Sequence, residues 1–560
     1  MTSGLTAALT LPAVNGAKPT CYLFQGTWAA RYTQDGQAWT FDSPFGLPQH
    51  VCTLWPGLAA TVGHHPYVGA FTAKNEIYFL RPDHLVRYNI AKDKVESADD
   101  AKPGNTFKLD HLGEEFLKSL SGAMDTPKGI YLFSGPRWAL FQLNTGALRK
   151  QGTLSTTVLT GVDGACWLPG ADSGYLFRED RYYTCTAADD GTLTAAAGGA
   201  ITDLWKGAPL RRPLADLYAA GDEARLPVRF RTDLDLSTDA GPSVRTVKAE
   251  GTVIQGDGLK TAYGRACWSV SPDGKHAFLT NQRKVVVVDL DKVASGTSVI
   301  RGKDVDQALW DAVVTGDGNH LWVTNAGMTD SHGKTLHDVD VSEGGAATDV
   351  SHYIGGAAYG LALSAKGDRA FVGVERNAAD AAVVVVNTGN GSTISTLPLS
   401  DPDGKAPQPI VRRVAVTPDG GTVFAARGDG SVAKLKGTEP LVPIPLTDLT
   451  IRDLAVSSDG RQLCAVAPHD DGSVAIVDTE TNAVRRAKLP HDAMDPCGVV
   501  IDPNGGFAYV AGYIRDAADD AKGRVWVVDL TSAELAATVE ADWGAERTPI
   551  TYLALGWRWA

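Results

Sequence analysis

The chain has 560 residues, 44% hydrophobic and 21% charged, the make-up of a folded globular protein too long for a single core. Its 52 basic and 65 acidic residues leave a net charge of −13, which excludes a broad nucleic-acid surface and electrostatic docking on anionic lipid. No apolar run approaches the ~20 residues of a membrane helix. Seven cysteines without a CxxC pair exclude zinc ribbons and thioredoxin-type motifs. The first basic residue is Lys18, so the N-terminus does not read as a signal peptide, and a reducing, cytoplasmic setting is expected. Neither a nucleic acid nor a membrane is expected as a partner.

The first 207 residues carry a degenerate repeat. Its core reads CYLFQGTWAARYT (21–33), IYFLRPDHLVRYN (77–89), IYLFSGPRWALFQ (130–142) and GYLFREDRYYTCT (174–186). A Tyr stands second in each copy, and ten positions after it stand Tyr32, Tyr88 and Phe141, with Cys185 breaking the pattern in the fourth. Small-residue segments precede each core (LTAAL, VGAF, LSGAM, VDGAC), as suits strands crowded around a narrow channel. Trp55-Pro56-Gly57-Leu58 and the ITDLWKG stretch at 201–207 add a Trp-x-Gly punctuation. The set resembles the hemopexin repeat, with its YFF-type strands and W-P-G-L junction. That resemblance implies a four-bladed propeller over residues 1–207, and a Ca or Na ion held by backbone carbonyls in its channel. The haem-ligating histidines of that family match no residue here.

Residues 208–224, bounded by prolines and charges, are expected to be a linker. Beyond it a clearer unit recurs: an apolar strand, a tight Gly turn, a second strand, then a Val-rich strand ending in Asp or Asn. The turn glycines are Gly274, Gly318, Gly367, Gly420, Gly460 and Gly505, spaced 40 to 53 residues apart. Such pairs of short β-branched runs around an Asp-Gly turn predict hairpins at the spacing of propeller blades. WSVSPDGKHAFLTN (268–281) and AVVTGDGNHLWVTN (312–325) resemble YVTN-type repeats, which implies a propeller over residues 225–560. Seven blades are expected over six or eight. The C-terminal TYLALGWRW (551–559) would pair with strands from 227–254 to close the ring and remove exposed edges. The expected fold class is therefore all-β, two propellers in tandem.

Counting back from each turn glycine to the start of each inner strand gives the candidate site. It comprises Trp310, Asp311, Tyr359, Arg412, Arg413, Arg452 and Asp453, with Arg265, Cys497, Thr551 and Tyr552 at matching positions. Arginines and aromatics mixed with acids fit a small anionic or polyphenolic ligand, or else inter-blade salt bridging around a water-filled pore. The long loops 325–336, with His332, and 512–523, with Tyr513 and Arg515, lie near the same rim. His64-His65 are adjacent and His332 and His337 lack metal-ligand spacing, so no transition-metal site is expected. No nucleophile elbow, P-loop or dinucleotide fingerprint occurs in context, and no organic cofactor is expected. Cys497 has no nameable base to activate it as a nucleophile. Two readings follow. One is a binding protein presenting a small-molecule or protein site at a channel mouth or inter-propeller cleft. The other is a cofactor-free enzyme of cyclase, lyase or lactonase type working in a propeller funnel.

Overall fold

A computed structural model describes residues 5–12, 18–36, 38–42, 49–55, 58, 67–73, 76–80, 85–92, 94–96, 112, 114–142, 145–155, 159–206, 213–221, 228–235, 251–253, 267–271, 274–281, 284–290, 292, 299–304, 309–316, 318–326, 334–342, 349–377, 380–399, 411–447, 450–468, 473–490, 493–503, 505–515, 521–540 and 550–559. The chain divides into two compact units, one of Met1–Pro213 and one of Leu214–Asp235 with Gly241–Trp559. Both are built from small antiparallel sheets, the construction of a β-propeller protein. Among the described residues, no helix is long and apolar enough to cross a membrane.

Four sheets make up the described part of the first unit. Their inner strands, Ala7–Leu11, Gly69–Ala73, Leu120–Thr126 and Gly164–Trp167, pack against one another in a closed cycle. Small residues allow that crowding. A Cβ on Gly69 would stand 2.7 Å from the Ala123 amide nitrogen of the neighbouring inner strand, closer than any side chain tolerates. The ten-residue period seen in the sequence also has a physical basis. Cys21↔Tyr32, Ile77↔Tyr88, Ile130↔Phe141 and Gly174↔Cys185 are cross-strand partners, so the second residue of each pair fills the same buried slot behind a hairpin. Cys185 is as buried there as the aromatics it replaces. At the end of the unit, Trp205 pairs in parallel with Trp39 of the first sheet, the two indoles stacked 6.4 Å apart. Trp55 packs its ring on Tyr22, Phe24 and Phe79. Pro56 and Gly57 lie outside the described residues.

Seven four-stranded sheets make up the described part of the second unit. Its inner strands are Cys267–Val270, Leu309–Val314, Ala357–Leu363, Val414–Val416, Asp453–Val456, Ala493–Ile501 and Ile550–Trp559, and they too pack in a closed cycle. All six turn glycines adopt φ between +65° and +73°, a left-handed conformation that disfavours any residue with a Cβ. Each turn is locked in one way. The glycine N–H donates to the carbonyl three residues back. The side chain at that position accepts from the backbone N–H at the far side of the hairpin: Ser271 from His276, Thr315 from His320, Ser364 from Arg369, Thr417 from Thr422, Ser457 from Gln462 and Asp502 from Phe507. The recurring Ser, Thr or Asp three residues before the glycine is thus a turn-closing acceptor.

Two expectations need correction. The C-terminal strand Ile550–Trp559 pairs with Pro213–Gly221, inside the stretch 208–224 expected as a linker; Val228–Asp235 and Gly251–Val253 form the outer half of that sheet. The breakers that marked a linker do not interrupt the strand, because Pro213 stands at its first residue, where proline is tolerated. Likewise, much of the expected loop 512–523 is paired hairpin, with Tyr513 opposite Gly523 and Arg515 opposite Ala521.

Candidate functional site

The inner strands of the second unit enclose a channel of about 540 Å³ to which all seven sheets contribute lining residues. Asp311, Arg413 and Asp453 line it and are buried. Arg413 Nη1 lies 3.1 Å from Asp311 Oδ2, and Arg413 Nε lies 2.9 Å from Asp453 Oδ1. Each carboxylate also reaches the next inner strand. Asp311 Oδ2 accepts the Leu361 N–H at 3.1 Å, and Asp453 Oδ2 accepts the Val499 N–H at 3.0 Å. The three charges therefore tie five of the inner strands together across the channel: those of Asp311, Leu361, Arg413, Asp453 and Val499. Burial pushes the Asp453 carboxyl up from its ordinary range, against the pull of the Arg413 guanidinium and the Val499 amide; nearby Asp311 adds to the rise. Arg413 is consumed by this network.

Trp310, Tyr359, Arg412 and Arg452 behave differently. Trp310, Arg412 and Arg452 stand immediately before a channel-lining residue, and Tyr359 stands two before Leu361. All four are half-buried. Trp310 and Tyr359 meet edge to face with centroids 5.1 Å apart. Their backbones are anchored, since Cys267 Sγ donates to the Trp310 carbonyl at 2.8 Å and Thr324 Oγ1 to the Tyr359 carbonyl at 2.5 Å. The Tyr359 phenol is pushed up by burial and by the Glu375 carboxylate, with Arg412 pulling it down. Arg412, Tyr359 and Glu375 thus share one electrostatic neighbourhood. Glu375 escaped the sequence reading because it lies on a second strand, at no shared offset from a turn glycine.

Other sequence candidates fall elsewhere. Cys497 is buried, its thiol directed to the Ala511 carbonyl at 3.6 Å. His337 is buried with Nδ1 3.2 Å from Asp349 Oδ1. Arg265, His64, His65 and His332 lie outside the described residues, as do the side chains of Thr551, Tyr552 and Arg515. Among the described residues no three His, Cys, Asp or Glu side chains group to hold a metal ion.

A second cavity, of about 530 Å³, opens in the first unit where its inner strands end. Leu9, Phe71, Met124, Asp125, Trp167 and Asp172 are among its lining residues. Sequence reasoning picked out the LSGAM strand but not the acid that follows it, since one carboxylate in a strand carries no pattern.

No protein-family model matches this sequence, and no curated protein matches it. Among solved structures, the chain is similar to hydrazine synthase of Kuenenia stuttgartiensis, at 22% identity and a TM-score of 0.36, over 47% of this chain and 76% of that one. It is also similar to the Cps50 (Swd1) β-propeller domain of Myceliophteria thermophila, at 12% identity and a TM-score of 0.38, over 52% of this chain and 92% of that one.

Proposed function

We propose that this chain is a binding protein made of two propellers in tandem, four-bladed of hemopexin type and then seven-bladed of YVTN type. In this reading the second propeller takes a small, planar, anionic molecule at the end of its channel where the inner strands begin. The carrying observation is the division of labour between adjacent arginines. Arg413 is neutralised by two acids inside the channel. Arg412, one residue away and half-buried, acts electrostatically on the Tyr359 phenol, whose ring packs on Trp310. A guanidinium next to an aromatic edge is the chemistry that holds a flat anion, by charge-assisted hydrogen bonds and stacking. Arg452 occupies the equivalent position on the next sheet. An inorganic cation on backbone carbonyls in the first channel, and residence in a reducing compartment, belong to the same reading; the buried cysteines are free thiols.

The test is retention. Purified protein is incubated with a metabolite extract, desalted, and examined by native mass spectrometry. A retained anionic small molecule that the Arg412→Ala/Arg452→Ala variant fails to hold supports the reading. Retention by that variant at the wild-type level places the ligand elsewhere.

A further inference from the structure

The geometry points to a separate binding site in the first unit, at the cavity where its inner strands end, that takes a small primary alkylammonium. The cavity, at about 530 Å³, has the size of a small-molecule pocket. Its walls mix apolar and polar groups: Leu9, Phe71, Met124 and Trp167 come from the four inner strands, with Thr10, Thr72 and Thr126 beside them. Trp167 is held in place, its indole N–H donating to the Ala171 carbonyl at 2.9 Å. Phe71 is held by stacking on Tyr78 at 5.1 Å. Two fixed aromatic rings, aliphatic side chains and a carboxylate in one cavity are what an ammonium group with a hydrocarbon tail requires.

Asp125 provides that carboxylate, and among the described residues its polar support is the backbone of Thr126. The nearest lysine in sequence, Lys128, is committed to Asp189 at 2.7 Å. Burial without a counter-ion pushes the Asp125 carboxyl up to about 7. The other titratable groups in the lining are both on the fourth sheet. One is Cys166, whose thiol burial and neighbouring Cys21 push well above its ordinary value; the other is the exposed Asp172 carboxylate. The first and second sheets contribute Leu9, Thr10, Ala70, Phe71 and Thr72, none of them charged. A bound ammonium would supply the missing counter-charge and restore the ionised carboxylate, so binding must expel a proton near neutral pH.

Calorimetric titration of the full chain with n-hexylammonium chloride tests this, with n-hexanol and CaCl₂ as comparison ligands. The expected result is saturable hexylammonium binding at least tenfold tighter than hexanol. About half a proton should be released per ligand at pH 7, read from the difference between phosphate and HEPES buffers, and affinity should fall about tenfold from pH 8 to pH 6. Asp125→Asn should weaken hexylammonium at least tenfold while leaving hexanol unchanged. Equal affinity for hexanol, or no loss in Asp125→Asn, would overturn the proposal. So would Asp125-dependent binding of Ca²⁺ without binding of the amine. Proton release is read on the wild-type chain, so the test survives a poorly folding variant.

Discussion

Carboxylates line the cavity of each unit, but the two sets are neutralised differently. In the second unit Asp311 and Asp453 both contact the Arg413 guanidinium and both accept backbone amides, so each carboxylate has a cationic partner within the protein. In the first unit no cation among the described residues stands against Asp125, and burial pushes its carboxyl up to about 7. Burial alone therefore does not distinguish framework from site. What distinguishes them is whether a described residue places a cation against the carboxylate.

The largest expected effect tests the framework side. Removing residues 551–560 deletes the inner strand of the sheet that joins both ends of the second unit, and leaves the Pro213–Gly221 strand with an open edge. Circular dichroism should show the cooperative unfolding of that unit lost or shifted down by well over ten degrees. An unaltered melt would mean the closure contributes nothing. Next comes Arg413→Ala, which strands two buried acids. It should cost about 3–5 kcal/mol, measured by urea unfolding. A cost below about 1 kcal/mol would show that the triad is not the tie between strands described above.

Arg412→Ala sharpens the contrast from the other side. The residue is half-buried beside Tyr359 and Glu375, so stability should change by less than about 1 kcal/mol while ligand retention falls. A loss as large as that of Arg413→Ala would erase the distinction between the neighbours. The smallest expected effect is at a turn. Gly505→Ala places a side chain at φ +73° with Ser457 Cβ, 3.7 Å away, as the nearest atom, so it meets backbone strain and little clash. It should cost about 1 kcal/mol in the same urea experiment.

Much of this architecture was legible in advance because it is local. A turn requiring positive φ writes a glycine into the sequence, and a hairpin that buries the same slot in each repeat writes an aromatic ten residues after a Tyr. The meeting of Asp311, Arg413 and Asp453 was readable from their shared offset to the turn glycines. Which of two adjacent arginines is consumed was not, because that depends on acids from other sheets, distant in sequence. Pro213–Gly221 was misread for a related reason: one of its two partners, Ile550–Trp559, comes from the far end of the chain, and the prolines and arginines around it speak only for the local chain. Asp125 left no trace, since what makes it unusual is that no described cation stands beside it.

The most direct measurement of the central distinction is amide hydrogen exchange of the Leu120–Thr126 and Gly129–Ser134 strands, in wild type and Asp125→Asn, from pH 5 to pH 8. A carboxyl held at about 7 when folded, and near 3.8 when unfolded, binds a proton more tightly in the native state. Stability of this region therefore falls as pH rises through that interval, by an amount on the order of 2 kcal/mol. After correction for intrinsic rates, the variant should match wild type at pH 5 and be better protected at pH 8. Equal protection of the two proteins at both pH values would mean that Asp125 is already balanced within the protein, and the contrast between the two units would not stand.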